Sequence, residues 1–198
     1  MKNNKVRILV EGAVMVALAF VLSLVKIFKL PWGGSITLLS MLPIVIYSIR
    51  NGAKCGLGAA FVFSLAQFLD GVIGDGLFAW GLAPLDLALC IFLDYIGAFT
   101  VLGLAGMFRK SDIKGWISGT VIVVAARFVF HTISGAVVFH SAGMLWEGLE
   151  IANPWLYSAA YNACYMLPEL ILTTVGAAVL FKTGAIKMIL TSADVKTA

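Results

Sequence analysis

WISGTVIVVAARFVFHTISGAVVF, residues 116–139, decides the fold. This apolar run is long enough to cross the ~30 Å hydrocarbon core of a bilayer as a helix, yet it carries Arg127 and His131 one helical turn apart. A charged side chain at the centre of a membrane helix costs ~2.5–3.5 kcal/mol on insertion scales, so such residues usually face a shared cavity and mark a ligand or ion pathway. Asp94, Tyr157 and Asn162 interrupt two further apolar runs in the same way. The chain therefore reads as a membrane protein built around a small polar pocket.

Composition agrees. Of 198 residues, 61% are hydrophobic and 12% charged, far too apolar for a soluble domain of this size. The apolar runs are continuous and lack the alternating period of a barrel strand, which leaves helices as the spanning element. The expected fold is an all-α integral membrane protein, a single six-helix membrane domain over residues 1–198. Spans are expected near residues 6–28, 37–49, 55–73, 84–108, 116–139 and 155–181. The second is short and is expected to tilt or to begin within an outer loop. The first lacks a small-residue cleavage site followed by a soluble domain, so it is expected to remain as a helix rather than leave as a signal.

The charges report orientation. Lys2, Lys5, Arg7, Arg50, Lys54, Arg109, Lys110, Lys114, Lys182, Lys187 and Lys196 all fall at the helix ends that alternate threading assigns to one side. The opposite loops carry Asp70, Asp75, Glu147 and Glu150, with Lys26 and Lys29. The positive-inside rule then sets both termini in the cytoplasm of a cell (plasma) membrane, and the net charge of +4 needs no nucleic acid to explain it. Trp32, Trp80, Trp146 and Trp155 fall at the outer interface and Trp116 at the inner one, as a headgroup belt. Cys55, Cys90 and Cys164 have no C-x-x-C spacing and read as packing residues. His131 and His140 lie on opposite faces of a straight helix, so no metal is called for, nor any other cofactor.

Counting along the helices brings the polar groups to similar depth. From Trp116, Arg127 is ~17 Å and His131 ~22 Å from the inner end of the fifth span; Asn162 is ~10 Å below the outer end of the sixth, and Asp94 ~15 Å down the fourth. Gly135 continues the His131 face at i+4 and leaves a gap above the imidazole. Each residue has a second reading. Arg127 either pairs with Asp94 as a structural ion pair or meets a ligand. His131 and Asn162 suit hydrogen bonds within the bundle, and Tyr157 suits the interface. Glu11 reads as a partner for Arg7, Glu169 as a fastener in a stripe with Tyr161 and Tyr165, and Gln67 and Asp70 as a weak signal for the pocket mouth. Ala13/Ala17 and Gly52/Gly56 have the four-residue spacing of close helix contacts, and packing is the reading preferred for the glycine pair. An intramembrane enzyme using Asp94 and His131 as acid and base is an alternative of another class, though no nucleophile or metal-ligand motif accompanies them.

At these residues the chain resembles the thiamine-binding S component of energy-coupling factor (ECF) vitamin transporters. The similar stretches are Glu11-Gly-Ala-Val-Met-Val-Ala-Leu-Ala-Phe20, Gly33-Gly-Ser-Ile-Thr-Leu-Leu-Ser-Met-Leu-Pro43, Leu93-Asp-Tyr95, Leu102-Gly-Leu-Ala-Gly-Met-Phe108, Arg127-Phe-Val-Phe-His-Thr-Ile-Ser-Gly135 and Tyr157-Ser-Ala-Ala-Tyr-Asn162. Their order and spacing cover nearly the whole chain.

The resemblance implies a substrate-binding subunit for thiamine or a close analogue. It has no ATPase of its own and docks in the lipid on a transmembrane subunit that carries two ATPases. It implies that Asp94 binds the aminopyrimidine, with Tyr95, Arg127, His131, Gly135, Phe139, Tyr157, Asn162 and Trp32 around the ligand, and that Ala13 and Ala17 contact the transmembrane partner. Thiamine's fixed positive charge and its donors and acceptors suit a carboxylate, an amide and aromatic faces, while Arg127 suits a hydroxyl or phosphate end. Two positions depart from the pattern. The acid is Asp where Glu would also be expected, and Phe139 stands where an indole stacks in some relatives, so Trp32, Tyr95, Trp146 or Trp155 would have to complete the aromatic wall.

Overall fold

Long apolar helices dominate the computed structural model, which describes residues 2–30, 33–108 and 112–183. In chain order they are α1 (Lys2–Leu24), α2 (Leu42–Asn51), α3 (Ala53–Ile73), α4 (Pro84–Phe108), α5 (Ile113–Val137) and α6 (Pro154–Lys182). Among the described residues, five of these are long and apolar enough to cross a membrane, all but α2. Their outward faces carry exposed Leu9, Val14, Val21, Phe61, Phe92, Val129, Ile171 and Val175, which water would penalise and lipid does not. Of the cations used to orient the chain, Arg109, Lys110, Lys187 and Lys196 lie outside the described residues, as does Trp32.

The expected all-helical fold needs amendment at the outer loops. Residues 25–28 do not continue the first helix. Instead β1 (Lys26–Lys29) pairs antiparallel with β2 (Ser35–Thr37), and a second hairpin joins β3 (Gly143–Trp146) to β4 (Leu149–Ile151) between α5 and α6. Both hairpins are too short to show a readable alternation in sequence.

The second expected span is also corrected. α2 holds 10 residues, ~15 Å of helix and half of what a bilayer core needs. Every residue from Leu42 to Ile49 is buried, because α2 packs against α1, α3, α4, α5 and α6 rather than against lipid. Pro43 suits its first turn, where the missing N–H is no loss. Gly52, at φ +86°, makes the turn into α3 and has open space where a side chain would sit, while its backbone lies against Gly106 of α4. Gly56 also packs, facing Ser48 and the carbonyl of Gly103.

Gly103 meets backbone on its neighbour. A Cβ there would lie 2.5 Å from both Cα and N of Leu57, so α3 and α4 touch backbone to backbone. Gly103→Ala is expected to force the helices apart and cost about 1–3 kcal/mol, read as a lowered melting temperature of the purified protein in detergent.

Several side chains differ from expectation. Trp116 is 1% exposed and packs on Phe181, so it belongs to the core and not to an interfacial belt. Glu11 pairs with Arg50 at 2.5 Å rather than reaching only along its own helix to Arg7. Tyr47 donates to the Ile8 carbonyl at 3.0 Å, a second tie between α2 and α1.

Candidate functional site

α4 is not a uniform helix. Residues Ile91–Gly97 form a π-helical turn, followed by α-helix at Ala98–Thr100 and a 3-10 stretch at Val101–Phe108. Such wide turns inside helices recur at functional sites, and this one contains Asp94 and Tyr95.

Asp94 faces α5. Its Oδ1 lies 2.8 Å from His131 Nδ1, and its Oδ2 accepts from the Ser134 hydroxyl and, at 3.4 Å, from the Cys90 thiol. Arg127 Nε donates to His131 Nε2 at 3.3 Å. An arginine nitrogen only donates, so Nε2 must accept, which leaves Nδ1–H to donate to Asp94. Arg127 and Asp94 are thus joined through His131; the direct ion pair considered from sequence is not among the ion pairs of the described residues. The guanidinium lies 4.3 Å from the Phe99 ring centre and donates from Nη1 to Met41 Sδ at 3.0 Å.

α6 closes the other wall. Asn162 donates to the Ser158 carbonyl at 2.8 Å and the His131 carbonyl at 3.3 Å, and accepts from Tyr165 at 2.7 Å. Gly135 does not leave a gap above the imidazole: a Cβ there would strike Ser158 Oγ, so α5 and α6 approach closely at that point. Tyr157 and Tyr161 lie nearly parallel, 7° apart with centroids at 6.3 Å.

These walls enclose a cavity of about 820 Å³, within the usual range for small-molecule sites. Asp94, Tyr95, Arg127, His131 and Gly135 line it from α4 and α5, Phe139 lines it just beyond α5, and Tyr157 and Asn162 line it from α6. Eight of the nine residues expected around a ligand therefore meet at one cavity, and the ninth, Trp32, lies outside the described residues. Trp146 and Trp155 are half exposed and are not among the lining residues, so they do not complete the aromatic wall. Trp80 does: its ring packs 6.0 Å from that of Phe139, and Nε1 donates to the Asp75 carbonyl at 2.9 Å.

Sequence reading missed most of the mouth. Lys26 pairs with Asp70 at 3.3 Å and Lys29 with Asp75 at 2.6 Å, tying the first hairpin to the end of α3, and all four residues line the cavity. Gly33 accepts from Tyr161 at 2.8 Å, and Gly34, at φ +80°, sits so close to the Tyr165 ring that no side chain fits. Ser134 had a signal that could have found it, since it lies one turn after His131 on the same face. Asp75 and Trp80 reach the cavity through topology that no local period announces, whereas Glu169 follows Tyr161 and Tyr165 along one stripe of α6 into it. His140, with φ +45°, turns the chain out of α5 towards the second hairpin; no group of three or more potential metal ligands occurs among the described residues.

Residues 9–189 match the family described as Thiamine transporter protein (Thia_YuaJ). The chain is 36% identical over 190 residues to the thiamine transporter ThiT of Bacillus subtilis (strain 168), covering 89% of this chain and 91% of that one. Its fold is similar to that of ThiT from Listeria monocytogenes, a structure phased by native SAD, with a TM-score of 0.72 at 24% identity over 92% of this chain and 97% of the other. The family match spans nearly the whole chain, including every wall of the cavity, and on that ground the chain belongs to the thiamine transporter protein family.

Proposed function

We propose that this chain is the substrate-binding S component of an ECF-type importer, capturing thiamine from outside the cell in the cavity between α4, α5 and α6. The observation that carries the proposal is the meeting of Asp94, Tyr95, Arg127, His131, Gly135, Phe139, Tyr157 and Asn162 around one cavity in a member of a thiamine transporter family. In this reading the Asp94 carboxylate, which has lone pairs to spare beyond its bonds to His131 and Ser134, accepts from the aminopyrimidine. Tyr95, Phe139 and Trp80 offer aromatic faces to the cationic ligand.

The chain works as one six-helix membrane domain, with α2 and the hairpin before it serving together as the second membrane element. Both termini are cytoplasmic: Arg50, Lys54, Lys114 and Lys182 sit at the helix ends away from the mouth, in keeping with the positive-inside rule. Transport requires a transmembrane partner subunit and two ATPases, reached through Ala13 and Ala17, which are exposed on α1.

Equilibrium binding tests the function directly. The purified chain in detergent is expected to bind thiamine one to one and release it unchanged; failure to bind, or chemical conversion of the vitamin, overturns the reading. The aromatic wall has its own test in the same assay. Phe139→Ala is expected to weaken binding by about 0.5–1.5 kcal/mol beyond the contact area lost, while Phe139→Trp retains or improves it. Equal affinity in all three forms removes Phe139 from the ligand.

A further inference from the structure

Glu169 plays no part in the reading above, yet the cavity reaches it. It stands on α6 seven residues past Asn162, about 10 Å further inward at the helical rise. The residue is 2% exposed. Oε1 is held by Thr37, accepting from its backbone N–H and, at 2.6 Å, from its hydroxyl. Oε2 has no hydrogen-bond partner among the described residues. A buried carboxylate oxygen left without a donor is costly, and in native proteins such groups call for a specific explanation.

Arg127 shares this inner end of the cavity, one helical turn inward of His131. Its hydrogen bonds run to His131 and Met41, and no ion pair joins it to Glu169 among the described residues. With Arg127 alone the floor would be cationic and would favour a phosphate. Glu169 lines the same end of the cavity, and its Oε2 is left without a hydrogen-bond partner there.

We propose that Glu169 is a specificity-determining residue: Oε2 accepts a hydrogen bond from a hydroxyl at the inner end of the bound cation, and its charge disfavours ligands that end in phosphate. This rests on the thiamine reading, in which the aminopyrimidine meets Asp94 and the hydroxyethyl arm of the thiazolium points to Arg127. Selectivity then comes from one attraction and one repulsion at the same atom.

The test compares three ligands by equilibrium binding to the purified chain: thiamine, thiamine monophosphate, and an analogue whose hydroxyl is replaced by hydrogen. Wild-type protein is expected to bind thiamine about tenfold tighter than the deoxy analogue, the range of a charge-assisted hydrogen bond. Glu169→Gln keeps a carbonyl for the two Thr37 donors, which fixes the amide so that its NH₂ takes the place of Oε2. That variant is expected to lose the preference for the hydroxyl and to improve the affinity ratio of monophosphate to thiamine about tenfold. Equal wild-type affinity for thiamine and the deoxy analogue overturns the proposal, as does an unchanged phosphate ratio in a folded Glu169→Gln protein. Where that variant does not fold, the wild-type comparison decides alone. If wild-type protein binds no thiamine at all, the functional reading fails and this proposal fails with it.

Discussion

The double substitution Ala13→Trp and Ala17→Trp is expected to abolish thiamine uptake in cells that contain the proposed partner subunits, while thiamine affinity of the isolated chain stays near wild type. Both alanines are exposed on α1, four residues apart and so on one face, where only small side chains permit close helix contact. α1 reaches the cavity only through Ser23 near its end, six residues past Ala17 and about 9 Å along the helix. An indole at either alanine would project away from the bundle, so the pocket has no reason to change. Uptake in cells and ligand affinity in detergent measure the two halves separately. Normal uptake removes the docking role; lost binding would mean that the face packs internally, contrary to its exposure.

Asp94→Asn is expected to weaken thiamine binding by about 1.5–3 kcal/mol, roughly 10- to 150-fold, the range for hydrogen bonds to a charged acceptor. The substitution preserves size but replaces one acceptor oxygen with an NH₂ donor, and both oxygens are in use. One faces the Nδ1–H of His131 and the other the Ser134 hydroxyl. The amide therefore disturbs the imidazole as well as the ligand. Ser134→Ala separates the two effects, since it leaves the charge and removes only one support, and its loss should be smaller. Unchanged affinity in a folded Asp94→Asn protein rejects a ligand role for the carboxylate.

What could be read from sequence was what repeats over many residues. The five long helices appear as sustained apolar runs, and Arg127, His131 and Asn162 stand out within them because polar groups in hydrocarbon are costly. α2 misled because its apolar run looks like a truncated span; only its burial by neighbouring helices shows that it never meets lipid along most of its length. The hairpins carry three or four residues per strand, too few for a period. Glu169 reads as a fastener, and its bonds to Thr37 are of that kind, but its second oxygen is left without a partner in a residue that lines the cavity. Trp116 was assigned to the interface from its place in the chain, whereas the side chain packs inward on Phe181.

The wide turn at Ile91–Gly97 also sets the angular phase of α4. Upstream of it the helix joins the small cluster of Leu77, Cys90 and Val138; downstream, Gly103 meets α3 backbone to backbone. Each half is locked by its own neighbours, and the extra backbone in the turn reconciles the two settings. Deleting one residue inside it would rotate one half by about 100° against the other, so that either the Asp94 wall or the glycine contact must be given up. Loop insertions a few residues away in the chain would carry no such penalty. The length of this seven-residue turn is thus a fixed dimension of the cavity wall, as much as the identity of the acid it carries.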